Sequence, residues 1–360
     1  MKKTICAALA AALPYGLLLD AAFAHDGPHA ADHAPIGVMA DHRHGKGELM
    51  FSYRFMRMDM QGSRDGTDQL SLQEIATTVP NRFFGTPGQP PTLRVVPLEM
   101  IMDMHMVGAM VGVTDRVTLM AMGSYLTNRM DHVTFQGGMG TSRLGDFTTE
   151  SQGFGDTTVT AIVGLDRGQS ETREFNVNLG ASLPTGSITE TDTVFTPMGM
   201  TPNLRLPYPM QLGSGTFDLK PGFTYRDRGG SLTWGAQTTA TLRTGENDEG
   251  YTLGDRYEGT AWLGYVFDHA AAGFLRLKAV SQGTIDGLDL EIVAPVQTAD
   301  PDNQGGDTVE VFVGLNLAGQ EGRLRGHRFS VEAGFPLYRD LNGPQLETDF
   351  TLTVGWQKSF

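Results

Sequence analysis

Methionine is the residue type whose spacing most suggests chemistry in this chain. The sequence holds 18 methionines, and many of them recur at every second position of three segments. The clustered ones are Met56, Met58, Met60, Met100, Met102, Met104, Met106, Met110, Met120 and Met122. Alternate residues of a β-strand lie on one face, so each segment would present a row of thioethers about 7 Å apart. Thioethers are soft ligands that suit Cu(I) or Ag(I) and are poor ligands for Ca²⁺ or Mg²⁺.

Three interpretations of these rows stay open: ordinary packing, a flexible apolar wall for organic ligands, and a relay for a soft metal ion. A relay would need help from a neighbouring strand, because thioethers on one strand are too far apart to bracket an ion. If Val107 and Val111 face lipid, the methionines of that segment face the lumen of a barrel. The residues then expected near the outer mouth are Met58, Met60, Met100 and Met102, with His105 close to that rim.

Histidine forms the second cluster, near the start of the chain. Five of the nine histidines are His25, His29, His33, His42 and His44. Cleavage after Ala24 would leave His25 as the N-terminus, where its α-amine and imidazole could chelate Cu(II). Zinc and nickel would also bind such a segment. Residues 25–46 are polar and show no periodicity, so they are predicted to form a disordered periplasmic tail that either binds metal or is a solvated linker.

Both clusters are compatible with copper, for different reasons. Imidazole suits Cu(II) and thioether suits Cu(I), and the single cysteine, Cys6, lies in the predicted signal peptide. Copper would be cargo, since the sequence indicates no required cofactor. Acidic external loops would concentrate the cation, and a periplasmic metal-binding partner could receive it.

Catalysis is not expected. No GxSxG motif occurs, and Ser124 should point into the lumen, away from any outward-facing histidine. Phosphate-binding and dinucleotide fingerprints are absent in a strand–helix context. Loss of Lys2, Lys3 and Asp20 with the signal peptide would leave 25 of 27 basic and 40 of 41 acidic residues, a net charge of −15. This acidic balance argues against nucleic acid as a partner.

The elements that would position these residues are β-strands in a membrane. Residues 1–24 have two lysines, an apolar stretch and an Ala-Phe-Ala exit, which predicts a signal peptide. At the other end Phe350, Leu352, Val354, Trp356 and Phe360 alternate with polar or small residues, as in the last strand of an outer-membrane barrel. Period-2 alternation recurs about twelve times, and short charged turns alternate with long loops. Residues 47–360 are therefore predicted to form a transmembrane antiparallel up-and-down β-barrel of about 12 strands.

The segments GVTDRVTLMAMGSYL, GASLPTGS and the closing VGWQKSF carry a family resemblance. They resemble the outer-membrane transporter-like family named for a meta-pathway of phenol degradation. The resemblance covers most of the chain after the signal peptide and implies channels for small, often aromatic molecules.

The sequence therefore predicts an outer-membrane protein whose partner is the lipid bilayer. Its expected role is passage of a small solute, with copper as the leading candidate and a small apolar or aromatic molecule as its competitor. A non-conducting scaffold that binds a partner through its loops is the third possibility.

Overall fold

The computed structural model describes residues 29–165 and 172–360, so the predicted signal peptide and His25 lie outside the described residues. The strands are β1 (Leu49–Gly66), β2 (Asp68–Leu70), β3 (Val95–Thr114), β4 (Val117–Phe135), β5 (Arg143–Phe154), β6 (Thr157–Gly164), β7 (Arg173–Leu183), β8 (Thr191–Thr193), β9 (Asn203–Arg205), β10 (Asp218–Gly229), β11 (Leu232–Arg243), β12 (Tyr251–Thr252), β13 (Arg256–Asp268), β14 (Ala271–Gln282), β15 (Asp286–Gly287), β16 (Gly306–Ala318) and β17 (His327–Ser359). Helix α1 spans Leu72–Thr78, and short 3-10 helices span Tyr208–Met210, Gln297–Ala299, Pro301–Asn303 and Gly322–Leu324. None of the helices in the described ranges is long and apolar enough to cross a membrane.

The long strands close into one antiparallel barrel. Around the ring the order is β1, β3, β4, β6, β7, β10, β11, β13, β14, β16 and β17, and β17 pairs with β1 to complete it. In the described residues this ring has eleven strand elements, with β2 and β5 attached outside it. Within the described residues, closure pairs both edges of every strand element of the ring, and a sheet in hydrocarbon requires this pairing.

The last element, β17, is 33 residues long and makes two passes. Its first half pairs with β16 up to Gly306↔Leu341, and its second half pairs with β1 from Gly66↔Leu341 down to Met50↔Ser359. Nine antiparallel pairings lead around the ring from β1 to β16, so β1 and β16 run in opposite directions. Each half of β17 is antiparallel to its own partner, and the two halves therefore run in opposite directions. Counted in this way the barrel has twelve passes, so the predicted strand number is confirmed.

The terminal phenylalanine completes the closure. Its backbone N–H donates to the carbonyl oxygen of Leu49 at 2.8 Å, and the Leu49 N–H donates back at 3.3 Å. The Phe360 ring lies 6.1 Å from that of Phe51, on the outer face. The predicted role of the C-terminal segment as the final strand is therefore confirmed.

The two faces of the wall differ as membrane insertion requires. On β1, Leu49, Phe51 and Tyr53 are exposed on the outside, whereas Met50 and Arg54 are buried inside. Polar residues are buried in the lumen along other strands, among them Asn128, Asn178, Thr224, Arg276 and Glu332. An apolar outer band around a polar interior is typical of outer-membrane barrels, and the protein is located in the outer membrane.

The predicted disordered tail is wrong for residues 29–46, because the structure places them inside the barrel. Ala30, Ile36 and Val38 are almost completely buried. Luminal side chains bind the backbone of this stretch: Gln237 donates to Met39 O at 2.7 Å, and Arg328 donates to Ala34 O at 2.9 Å. The stretch carries short apolar residues between its histidines, and the polar lumen supplies the hydrogen bonds that its backbone needs. We call residues 29–46 the plug segment.

The long loops at the opposite end fold over the lumen. Helix α1 has a capping box, in which Ser71 and Glu74 satisfy each other's backbone N–H groups. The fully buried Arg94 donates to carbonyl oxygens of the loops, namely those of Ala76, Gln136, Gly137 and Gly140. The loops therefore form an ordered cap over the barrel.

Candidate functional site

The methionine rows face the lumen and meet across neighbouring strands. Met56, Met58 and Met60 on β1 stand opposite Met104, Met102 and Met100 on β3, respectively. On the other side of β3, Met100 pairs with Met130 and Met110 with Met120 of β4. Side chains directly opposite on one face have Cβ atoms about 4.5–5.5 Å apart. The strand register thus supplies the neighbouring thioethers that the sequence could not place.

The methionines divide into two packed groups. The upper methionine cluster, under the loops, contains Met100, Met130, Met210 and Leu206, with Met60 and Met102 against it. The lower methionine cluster contains Met50, Met110 and Ile162 and packs against Ala40 of the plug segment, with Met120 beside it. Both groups mix thioethers with aliphatic side chains, as ordinary apolar packing does.

Between these groups the inward methionines are less enclosed. Met56, Met104 and Met106 are only half-buried. Met122 lines a luminal cavity of about 250 Å³ just above the plug segment, together with Met120, Lys220 and Glu258.

His105, expected close to the outer rim and as a candidate metal ligand, lies on the outer face of the barrel. His105 is an odd-numbered residue of β3, so it lies on the opposite face from Met104 and Met106 and is exposed outside the barrel. Its Nδ1 lies 2.8 Å from the Tyr53 hydroxyl oxygen, and its ring lies 5.2 Å from that of Phe55. His105 belongs to the outer surface and does not contribute to a luminal site.

The plug segment is held by buried charges of the lumen. The Gly37 N–H donates to Glu332 Oε2 at 3.0 Å, and Glu332 accepts two hydrogen bonds from Arg276, at 2.8 and 2.9 Å. The guanidinium group of Arg276 also lies 3.9 Å from the centre of the Phe312 ring. A Cβ atom at position 37 would collide with both Arg276 and Glu332, so the glycine permits this close approach.

Three of the five predicted metal-ligand histidines come together in the plug segment. The Nε2 atoms of His42 and His44 lie 3.2 Å apart, and the rings of His33 and His42 are centred 3.9 Å apart. Asp41 Oδ1 lies 2.8 Å from His42 Nδ1. His29 lies elsewhere, with its ring 4.3 Å from that of His269 in a periplasmic turn.

Charge and burial set the ionisation of this histidine cluster. Burial and the neighbouring His42 lower the pKa of His44 to about 4, so its imidazole is neutral near pH 7. Burial alone would raise the pKa of Asp41, but His42 and Arg226 lower it well below its usual range. The cluster therefore combines a neutral imidazole with a carboxylate.

Two cavities occupy the path toward the plug. The upper luminal cavity, of about 390 Å³, has methionines on one side and charged residues on the other. Its methionine side is formed by Met58, Met60, Met100 and Met130, and its charged side by Arg256, Lys278, Glu310, Arg339 and Glu347. Arg256 also lines the 250 Å³ cavity above the plug segment, so the two cavities adjoin.

A third cavity, of about 190 Å³, lies in the loop cap, and we call it the mouth pocket. Its lining is mainly apolar and comes from the loops and from β3, β4, β5 and β9: Val95, His132, Phe147, Val194, Phe195, Leu204, Leu206, Val293 and Val296. The rings of His132 and Phe147 stack 4.7 Å apart with only 10° between their planes. Leu206 belongs to both this pocket and the upper methionine cluster.

The mouth pocket was not predicted from the sequence. Its lining residues are scattered over the chain in segments that looked like ordinary loops. The available signal was the density of apolar residues and prolines in TPMGMTPNLRLPYPMQ, which is unusual for an exposed loop. A larger concavity of about 750 Å³ is lined by lipid-facing residues such as Val111, Leu119 and Leu179 and belongs to the outer wall.

Comparison with known proteins gives a family match and a fold match. The family described as "Putative MetA-pathway of phenol degradation" matches residues 110–289. An outer-membrane channel from Pseudomonas putida F1 is similar in structure, with a TM-score of 0.57 and 14% identity over 91% of this chain and 100% of that chain.

Two further solved structures align more weakly. A mutant of the TodX monoaromatic hydrocarbon channel aligns with a TM-score of 0.46 and 9% identity over 88% of this chain and 91% of its own. A Pseudomonas aeruginosa FadL homologue aligns with a TM-score of 0.41 and 9% identity over 87% of this chain and 90% of that chain. No curated protein matches the chain.

Proposed function

Because this chain belongs to the family described as "Putative MetA-pathway of phenol degradation", we propose that it is an outer-membrane channel, without enzymatic activity, for small apolar or aromatic molecules. The observation that carries the proposal is the mouth pocket, an apolar cavity directly above the upper methionine cluster. A pocket lined by hydrophobic and aromatic side chains suits a small apolar ligand.

The upper methionine cluster separates the mouth pocket from the lumen. Leu206 lines the pocket on one side, whereas Met100 and Met130 line the upper luminal cavity on the other. Methionine is unbranched and has three rotatable bonds, so this barrier can deform around differently shaped solutes. A molecule that leaves the mouth pocket would pass between these thioethers into the lumen.

The plug segment closes the periplasmic end of this path. Its contacts reach the short-turn end of the barrel, where His44 N–H donates to Thr118 Oγ1 at 2.8 Å and Ala30 N–H donates to His269 O at 2.9 Å. A solute in the cavity above the plug can therefore reach the periplasm only when the plug segment moves. We propose that the resting channel is closed and that plug movement opens it.

Binding to the mouth pocket tests the proposal. Fluorine NMR of 4-fluorophenol with the purified protein should show saturable line broadening. Leu204 is partly exposed at the pocket, so Leu204→Asp should be tolerated and should weaken binding by placing a charge beside an apolar ligand. Leu290→Asp is the matched control, because Leu290 is 80% exposed and is not part of the pocket lining. Equal binding by both variants would contradict the proposal.

Copper passage is the second candidate, favoured by the paired thioethers Met58/Met102 and Met56/Met104 on neighbouring strands. Such pairs supply the cross-strand ligands that a Cu(I) relay requires. Cu(I), as cargo, would then move along the lumen from one thioether pair to the next by ligand exchange.

Substitutions in the upper methionine cluster test how much its packing contributes to stability. Met100→Leu and Met130→Leu conserve volume and should each cost less than about 1.5 kcal/mol of stability. Met100→Ala should cost about 2–5 kcal/mol, because Met100 is 1% exposed.

Leucine substitutions discriminate between the two functions. If the methionines act as an apolar surface, the double variant Met102→Leu/Met104→Leu leaves uptake of aromatic molecules intact. Loss of Cu(I) binding and of copper uptake in that double variant would instead support the relay.

A further inference from the structure

The histidine cluster of the plug segment has the donor atoms of a metal site. His33, Asp41 and His42 each supply one donor atom, a ring nitrogen or a carboxylate oxygen. These three atoms lie within 4.8 Å of one another. His44 adds a nitrogen 3.2 Å from His42 Nε2. Two nitrogen ligands of one tetrahedral ion, with bonds of about 2.0–2.1 Å, lie roughly 3.3 Å apart. The His42–His44 separation therefore matches the spacing of two ligands on one ion.

A hydrogen bond between the two rings would also give that separation, but it would not account for His33. The Nδ1 atom of His33 is buried and has no hydrogen-bond partner, although its ring lies against that of His42. A buried polar atom without a partner is costly, and coordination of a metal ion by that nitrogen would remove the cost. This independent observation points to a ligand beside His33 and His42.

Carboxylates orient two of the rings. Asp41 Oδ1 contacts His42 Nδ1 at 2.8 Å, and Glu48 Oε2 lies 3.6 Å from His44 Nδ1. Each contact leaves Nε2 directed toward the other ring. Metal-bound histidines commonly use their second nitrogen in this way, because a carboxylate fixes the ring and increases its basicity.

We propose that His33, His42 and His44 bind one divalent transition-metal ion, with Asp41 orienting His42 and with zinc or Cu(II) as the best matches for imidazole ligands. The site lies inside the plug segment and is independent of the mouth pocket. Asp41 Oδ2 also accepts from Ala34 N–H at 2.8 Å, so the two ends of the segment from 33 to 44 already meet.

The ion would fasten the plug in its closed form. Bound to His33 at one end and to His42 and His44 at the other, it would cross-link a twelve-residue loop and reduce the freedom of the released plug. His44 is in turn attached to β4 through Thr118. Metal availability would thereby regulate how readily the plug segment leaves the lumen.

Titration of the metal-stripped, full-length mature protein with Zn²⁺, against a competing chelator dye, tests the site. We expect one high-affinity ion per barrel, with no competition from Mg²⁺. His33→Gln, His42→Gln and His44→Gln should each weaken binding by about tenfold or more, and Asp41→Asn should weaken it measurably. His29→Gln and His105→Gln are the matched controls and should bind as the unaltered protein does.

Co²⁺ provides a second readout that does not depend on affinity alone. The unaltered protein should give the visible absorption of a four-coordinate site with three imidazole nitrogens and one water, and His42→Gln should abolish it while the barrel keeps its heat-dependent gel mobility. Absence of stoichiometric Zn²⁺ binding, or equal binding by the cluster variants and the controls, would overturn the proposal. These outcomes leave the binding of 4-fluorophenol unaffected, so failure of the metal site is distinguishable from failure of the channel function.

Discussion

Deletion of residues 29–44 is expected to convert the protein from a closed barrel into an open, ion-conducting pore. The plug segment supplies the buried Ala30, Ile36 and Val38 that fill the periplasmic end of the lumen. The deletion leaves the barrel ladder intact, because β1 begins at Leu49 and its pairing with β17 starts at Met50. Planar-bilayer recordings should show sustained stepwise currents for the deletion, where the full chain shows no stable opening.

A point substitution provides the control in which the chain keeps its length. Gly37→Val introduces a side chain against the buried, hydrogen-bonded Arg276–Glu332 pair, so the plug segment should be displaced and the current should rise toward that of the deletion. Gly245→Val is the matched control, since nothing lies within 4 Å of a Cβ atom there and its φ is not positive. Equal, low currents from the deletion and the full chain would show that the plug segment does not close the path.

Removal of Arg276 is expected to cause a large loss of stability for a single luminal substitution. Arg276 and Glu332 are both almost completely buried, and they form a two-hydrogen-bond ion pair. Arg276→Met would leave the Glu332 carboxylate buried without its partner, which costs about 3–5 kcal/mol. Urea unfolding in lipid vesicles, followed by heat-dependent gel mobility, measures this change.

Two further variants separate the charge effect from packing. Arg143→Met removes an exposed pair with Asp146 and should change stability by no more than about 1 kcal/mol. The double variant Arg276→Met/Glu332→Met should be more stable than Arg276→Met alone, because no unpaired charge remains. If Arg276→Met and Arg143→Met proved equally mild, the buried pair would not organise the lumen.

Alternation along the strands made the barrel predictable. Each strand has one face toward lipid and one toward the lumen, so the parity of a position fixes its side. The same rule that turns Met104 and Met106 inward turns His105 outward, whereas the expectation for His105 considered only its height along the strand. The terminal Phe360 was equally predictable, because strand closure follows from the membrane environment.

The plug segment and the mouth pocket were not predictable by these rules. Gly37 contacts Glu332, 295 positions away in the chain, and no local pattern encodes that contact. The apolar run from Ala34 to Ala40 was a signal that residues 25–46 are not simply a solvated tail. In the mouth pocket, Leu206 and Val296 come from separate loops, and only the folded barrel brings them together.

Uptake by whole Gram-negative cells tests the channel function most directly. Cells that lack their own channel for aromatic molecules would express the unaltered protein, Leu204→Asp or Leu290→Asp, at equal amounts in the outer membrane. Radiolabelled phenol or toluene should be taken up faster with the unaltered protein and with Leu290→Asp, and at the background rate with Leu204→Asp. Background uptake by all three, with the protein correctly inserted, would contradict the proposed passage of small apolar molecules.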